Sequence, residues 1–270
     1  MIVRLVSRPQ FIALPPEMGT PHADQLLGPD AQKLIETAGR ICYDSFGGKA
    51  RSSGAFAQHL QEVGHLNPTY HANFSFFISG VSRGFSHEFV RHHVGCSPSQ
   101  RSTRYCNESD SPWIPHPLLK EIFSIERETY VVEGSTADPM KIGSLEDEWD
   151  GVIQIAQRFY RRAVDRGERL LEGRGVDKLT ARKQARGAAR GALGNALETE
   201  MIWTGNVEAI RHAIVMRGNG AADAEIRAVA VRLLEIMVAE LPVYFNDFVV
   251  SPSPDGIGEI ITKIEAVKKS

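Results

Sequence analysis

RHHVGCSPSQRSTRY, residues 91–105, is the stretch on which the reading of this chain turns. It holds three arginines, two histidines, three serines and a glutamine, and it follows an apolar run. Gly95 and Pro98 discourage regular structure, so the stretch reads as a loop. Arg91, Arg101 and Arg104 offer planar, permanently charged forks suited to phosphate, and Ser99, Ser102 and Thr103 add hydroxyl donors. Such a loop presents donors to an anion, whether a phosphorylated small molecule or a nucleic acid backbone. A solvated charged loop is the competing reading.

Upstream of the loop, residues 82–90 read as a helix anchored by Phe85, Phe89 and Val90, with Arg83, His87 and Glu88 polar. Before it, Ala72, Phe74, Phe76 and Ile78 alternate with Asn73, Ser75 and Ser79, the pattern of a half-buried strand. The loop is thus delivered from a packed support. Residues 1–8 suit a short strand, and the chain from Phe11 to Pro16 ends in loop chemistry. Pro29 and Asp30 open a helix expected to bury Leu34, Ile35, Ala38, Ile41 and Cys42 in one stripe running through Tyr43. A second helix covers residues 54–63 and stops at Gly64. His65 and His71 follow in turn chemistry with no third ligand in view, so they read as structural side chains and no metal is expected.

Downstream, Pro112, Pro115 and Pro117 mark turns, and no structure is assigned from there to about residue 144. Ser144 then reads as an N-cap, with Glu146, Asp147 and Glu148 in the first turn and a core stripe of Trp149, Ile153, Ala156, Tyr160 and Ala163. Asp177 caps a further helix that lines up Arg182, Arg186 and Arg190 on one face. Residues 200–204 read as extended, and a helix runs from Gly205 and Asn206 to Gly218. Helical projection puts Asn206, Ile210, Ala213 and Arg217 on one stripe. An arginine on a core-facing stripe needs an anionic or carbonyl partner, so Arg217 is either half of an ion pair or a ligand-binding cation. The last long helix covers residues 223–241, and a Pro/Gly-punctuated tail turns helical before two lysines. With no internal repeat and a break in the pattern only around residues 133–143, the chain reads as a single α+β domain over residues 1–270.

At 270 residues and 42% hydrophobic, the chain can bury a large core. A net charge of −2 sets the basic loop in a balanced background, which favours a focused anion pocket over a nucleic-acid track. The three cysteines, Cys42, Cys96 and Cys106, are odd in number and lack zinc spacing, which points to a reducing compartment. Cys96 and Cys106 bracket the loop, but a thiol nucleophile also needs an oriented base. No apolar run approaches the roughly 20 residues that span a bilayer, so a cytoplasmic protein without a membrane role is expected.

Several separated pieces together resemble the flavin-dependent thymidylate synthases. Their signature, Arg-His-Arg followed by Ser and then Arg-Tyr, is matched by Arg91-His92-His93, Ser102, Arg104 and Tyr105. Gly64, His65, Pro68 and His71 are similar to an upstream family segment, and Ser82, Arg83 and His87 precede the signature as they do in the family. Arg190, residues 206–217, Ala222 and the run Glu225, Ile226, Arg227 continue the likeness, which covers roughly residues 35–245.

The resemblance implies a mostly antiparallel sheet flanked by helices, of the thymidylate synthase-complementing type. The implied activity is a reductive methylation at C5 of a uracil nucleotide: FAD takes a hydride from NADPH, and methylenetetrahydrofolate supplies the carbon. It further implies a homotetramer with sites shared between subunits, and no nucleic acid partner. Nucleotide contacts carry over to Glu88, Phe89, Val90, Arg91, Gln100, Arg101, Ser102, Thr103, Arg104, Arg190, Ala192 and Arg217. Arg217 would activate the base by stabilising charge at the uracil carbonyl and N3 edge. Flavin contacts carry over to Asn67, Arg91, His92, His93, Gln100, Asn206, Val207, Glu208 and His212.

The chain departs from the family pattern at four places. His93 and Glu208 stand where arginine is usual, Tyr70 where Glu is usual and Glu88 where Gln is usual. Glu88 is an acceptor suited to sugar hydroxyls, and Ala192 is small, so either UMP competes with dUMP or these changes are drift around an unchanged dUMP pocket. Two other readings remain open: a nucleic-acid-binding module using the RSTRY loop, and a flavin-binding NADPH oxidase-like relative without methyl transfer.

Overall fold

Alternation makes the central strand. Phe74, Phe76 and Ile78 are fully buried, while Asn73, Ser75 and Phe77 between them are not. The computed structural model describes residues 1–12, 26–46, 52–132 and 144–263. The loop expected toward Pro16, the break around residues 133–143 and the helical tail beyond residue 263 lie outside the described residues.

The elements run β1 (Ile2–Ser7), α1 (Asp30–Tyr43), α2 (Ser53–Glu62), a 3-10 turn (Asn67–His71), β2 (Asn73–Ser82), α3 (Arg83–Phe89) and β3 (Cys96–Gln100). There follow α4 (Pro117–Val132), α5 (Leu145–Glu172), α6 (Lys178–Ala189), a 3-10 turn (Arg190–Ala192) and β4 (Glu198–Asn206). The chain continues as α7 (Val207–Gly218), α8 (Ala224–Glu240), a short 3-10 turn (Pro242–Tyr244), β5 (Phe248–Ser251) and β6 (Glu259–Thr262). A four-stranded antiparallel sheet has the order β1-β2-β4-β3, and β5 and β6 form a separate antiparallel ribbon. With its helices, this is the expected α+β class. The chain falls into two compact units.

The first unit comprises Met1–Ile78, Phe89–Ser99 and Met201–Ser270. Trp203 of β4 centres its core, 6.0 Å from the Phe76 ring and 4.9 Å from the Phe89 ring. Helix α7 buries Ile210, Ala213 and Ile214, and α8 buries Val229, Leu233, Leu234 and Met237. Helix α1 is rotated from the expected stripe. Ile41, Cys42 and Tyr43 are exposed, and the buried face is Ala31, Ile35 and Gly39 with a Glu36–Arg40 ion pair at 2.7 Å. The cause is Gly39: a Cβ there would lie 2.8 Å from the Phe56 ring, so α2 can approach only on that side. The β5–β6 ribbon was not legible in the tail because its strands are only four residues long. It seats Ile260 against Gly218 of α7, where a Cβ would meet the isoleucine at 2.5 Å.

The second unit comprises Ser79–Glu88 and Gln100–Glu200. Helix α5 opens with a capping box in which Ser144 and Asp147 satisfy each other's backbone donors. It packs along α6 at Gly167, where a Cβ would stand 3.0 Å from Ala185. The expected core stripe of α5 is shallower than its spacing suggests. Among the described residues of this helix only Tyr160 is buried; Trp149, Ile153, Ala156 and Ala163 are half-buried. The reason is that α6 covers one narrow side of a long helix. Helix α4, which went unassigned in the sequence, begins with Pro117 at its first position, where proline's missing N–H costs nothing, and buries Phe123.

Residues 96–100, expected as loop, form β3. Pro98 is tolerated there because β3 is the edge strand of the sheet, where one backbone N–H needs no ladder partner.

Candidate functional site

The predicted site residues fall into two groups. In the first unit, the turn after α3 carries Arg91, His92 and His93, and α7 carries Val207, Glu208, His212 and Arg217. Asn206 is buried and caps α7, its Oδ1 accepting from Ala209 N–H at 2.8 Å. Its own N–H donates to the Gly95 carbonyl at 3.0 Å, which ties the loop to the start of α7. Gly95 has φ +72°, and a Cβ there would lie 2.5 Å from Asn206 Nδ2. The glycine is therefore required both by backbone conformation and by close approach.

Arg217 and His92, separated by 125 positions, meet through Arg217 Nε donating to His92 Nε2 at 2.8 Å. Accepting at Nε2 leaves the His92 proton on Nδ1. Burial, then the Arg217 charge and the neighbouring histidines, pushes the His92 pKa down to about 4. His92 is thus neutral at physiological pH and lies beside a permanent cation. The His212 ring stands edge-on to His92 at 5.7 Å between centroids. His93 is exposed, and its Nδ1 lies 2.8 Å from the Arg91 carbonyl, which it can meet only as a donor. Phe89 is buried in the core, Val90 is half-buried, and Arg91 and Asn67 are exposed. Glu208 sits in the first turn of α7, where the helix dipole favours a carboxylate.

Cys96 is no activated thiol: it donates to the His92 carbonyl, and burial pushes its pKa up. His65, read as structural, lies 2.8 Å through Nδ1 from the Tyr43 hydroxyl. Among the described residues no three His, Cys, Asp or Glu side chains gather as a metal site requires.

In the second unit the loop after β3 is held from below. Gln100 Nε2 donates to Ser86 Oγ at 2.6 Å and to Thr199 Oγ1 at 3.0 Å. Arg101, expected as a phosphate fork, is engaged by carboxylates instead: Glu108 at 3.3 Å and Glu200 at 3.5 Å. The loop curls into a turn in which the Ser102 carbonyl accepts from Tyr105 and Cys106, and Ser102 Oγ accepts from Arg104 N–H at 3.4 Å. Thr103 is buried, and its Oγ1 accepts from Arg190 Nη1 at 3.4 Å. Arg190 itself is exposed, as is Arg104, and Ala192 follows in the same 3-10 turn. Glu88 is half-buried at the end of this unit's first segment. Of the arginine face predicted on α6, Arg182 pairs with Glu168 at 3.6 Å, and Arg186 donates to the Tyr105 carbonyl.

Arg83 was not assigned a role from the sequence. It starts α3, where Ser82 Oγ caps Phe85 N–H at 3.0 Å, and it reaches the Arg101 carbonyl at 3.4 Å. Burial and the Arg190 charge lower its pKa while Glu108 raises it, so Arg83 and Arg190 share one cationic neighbourhood. The available signal was a lone cation in the polar part of an otherwise anchored helix.

The fold and these groups define an α+β protein with a histidine–arginine cluster at α7 and an arginine–hydroxyl cluster after β3. The family described as Thymidylate synthase complementing protein matches residues 24–243, and the chain belongs to it. The chain is 35% identical over 257 residues to the flavin-dependent thymidylate synthase of Mycobacterium marinum (strain ATCC BAA-535 / M), covering 94% of this chain and 92% of that relative. The corresponding protein of Mycolicibacterium gilvum (strain PYR-GCK) is 34% identical over the same shares, and that of Mycobacterium tuberculosis (strain ATCC 25177 / H37Ra) is 35% identical.

Proposed function

We propose that the chain is a flavin-dependent methyltransferase that builds the C5 methyl group of a uracil nucleotide, converting dUMP to dTMP and UMP to 5-methyl-UMP. Methylenetetrahydrofolate gives the carbon at the formaldehyde level, and NADPH gives the hydride that takes it to methyl. FAD supplies the redox chemistry when bound. The observation that carries the reading is the contact of Arg217 with a neutral His92. Family membership and the names of the relatives stand behind it.

The residues present fit a flavin. A permanent cation with a neutral imidazole suits a ring system that gains negative charge on reduction, and Arg91, His92, Asn206 and His212 are the side chains that would hold it. Arg217 stabilises charge at the carbonyl and N3 edge of uracil as C5 becomes nucleophilic. Ser102, Thr103, Arg104 and Arg190, joined by Arg83, bind the nucleotide phosphate through charge-assisted hydrogen bonds. Glu88 accepts from ribose hydroxyls, and the small Ala192 leaves room for the 2′-OH. The 270 residues work as one domain, which the chain's four crossings between its units favour. The protein acts as a homotetramer in the cytoplasm, where its three free cysteines stay reduced.

The test is the absorption spectrum of the purified protein, followed by product analysis with each nucleotide. A yellow protein that bleaches with NADPH and forms 5-methyl product is expected, with Arg217→Met losing product formation by about 100-fold or more. A colourless protein that binds nucleic acid with a steep inverse salt dependence overturns the reading. So does flavin reduction without a methylated product. A dUMP preference above about 100-fold in kcat/KM, ~2.7 kcal/mol, removes the ribonucleotide part alone.

A further inference from the structure

Helix α5 leaves an apolar face uncovered. Val152, Ile155 and Phe159 are 56%, 60% and 56% exposed, and a shallow groove there is lined by Ile155, Arg158, Phe159, Arg162, Ala163 and Arg166. At 100° per residue, Glu148, Gly151, Val152, Ile155, Phe159, Arg162, Ala163 and Arg166 fall within about 60° of one line along the helix. The line lies away from Gly167, which packs on Ala185 of α6, and from the buried Tyr160. Charge is unevenly spread along α5. Its first turn holds Glu146, Asp147 and Glu148 and no arginine, whereas Arg158, Arg161, Arg162, Arg166 and Arg169 lie from its middle onward, interspersed with Asp165, Glu168 and Glu172.

We propose that this face pairs with α5 of a second copy of the chain, antiparallel across a two-fold axis level with Gln157. That register sets Glu148 of each helix opposite Arg166 of the other, Ile155 opposite Phe159, and Gly151 opposite Ala163. The two small residues let the backbones approach, the two large ones fill the centre, and the carboxylate of Glu148 in each helix meets the guanidinium of Arg166 in its partner. Val152 lies under the aliphatic stem of the partner's Arg162. A two-fold interface must be self-complementary, and this helix is complementary to itself only when reversed. A parallel pairing would set acids on acids and arginines on arginines. The pairing rests on the oligomeric part of the proposed function and not on its chemistry, so association and turnover are read separately.

Sedimentation equilibrium of the full chain tests it. The wild type is expected to self-associate, and Phe159→Glu to raise the dissociation constant of one interface at least ~100-fold. Glu148→Arg and Arg166→Glu, both at exposed positions that leave folding intact, should each raise it about tenfold, and the double variant should return to within about threefold of wild type. Circular dichroism checks that each variant is folded. A monomeric wild type, single charge reversals without effect, or a double variant no better than the worse single one each overturns the proposal. Loss of activity with association intact would count against the proposed chemistry alone.

Discussion

Replacing Gly95 with alanine puts a methyl group where the first unit has room for none. The new Cβ would stand 2.5 Å from Asn206 Nδ2 and 3.0 Å from its Cγ, and the backbone would keep φ +72°. The left-handed conformation costs an alanine about 1 kcal/mol. Pushing Asn206 aside also threatens its cap on Ala209 N–H, worth about 1 kcal/mol, and strains the Asn206 N–H to Gly95 carbonyl bond. The sum is a loss of about 2–3 kcal/mol, or roughly 4–6 °C in Tm for a chain of this size. Denaturant unfolding of the Gly95→Ala, Asn206→Ser and doubly substituted proteins separates these causes. Serine is shorter but still caps, so in its presence the alanine should cost only the backbone part, leaving a coupling of about 1 kcal/mol. If the two substitutions add to within about 0.4 kcal/mol, the contact is not what requires glycine, and the reasoning fails.

His92, with a pKa pushed down to about 4, refuses a proton that the unfolded chain accepts near 6.5. The associated stability is therefore complete above pH 6.5 and is lost as pH falls toward 4. It amounts to about 1–2 kcal/mol once solvent screening of a half-buried group is allowed for. His92→Gln should flatten that part of the stability profile, and equal slopes for the two proteins would contradict the assignment. Glu108 is 1% exposed and accepts from Arg101 and Ser111, so Glu108→Gln should lower stability by about 2–3 kcal/mol, measured by urea unfolding. Arg211 grips Asp247 with two bonds of 2.9 and 2.7 Å and stacks on Phe248 at 4.6 Å. Arg211→Ala should cost about 2 kcal/mol and speed hydrogen exchange in the β5–β6 ribbon, with Arg211→Lys recovering less than half; unchanged exchange would rule out this anchoring role.

The sequence by itself determined the elements whose signals are local. The alternation of Phe74, Phe76 and Ile78 requires β2, and Ser144, Asp177 and Asn206 mark the starts of α5, α6 and α7 by capping chemistry that needs only neighbours three residues away. The stripe Asn206, Ile210, Ala213 and Arg217 showed that Arg217 needs an inward partner, but periodicity could not say which one. Only the tertiary structure supplied His92, 125 positions away, because long-range pairing leaves no trace in local spacing. The same holds for Arg101, whose charge reads as available in sequence and is engaged by Glu108 and Glu200 in the fold. Which side of α1 is buried, and how little of α5, were likewise decided by what packs against them. A helix's own periodicity shows that it has a face, and its neighbours decide which face and how much of it is covered.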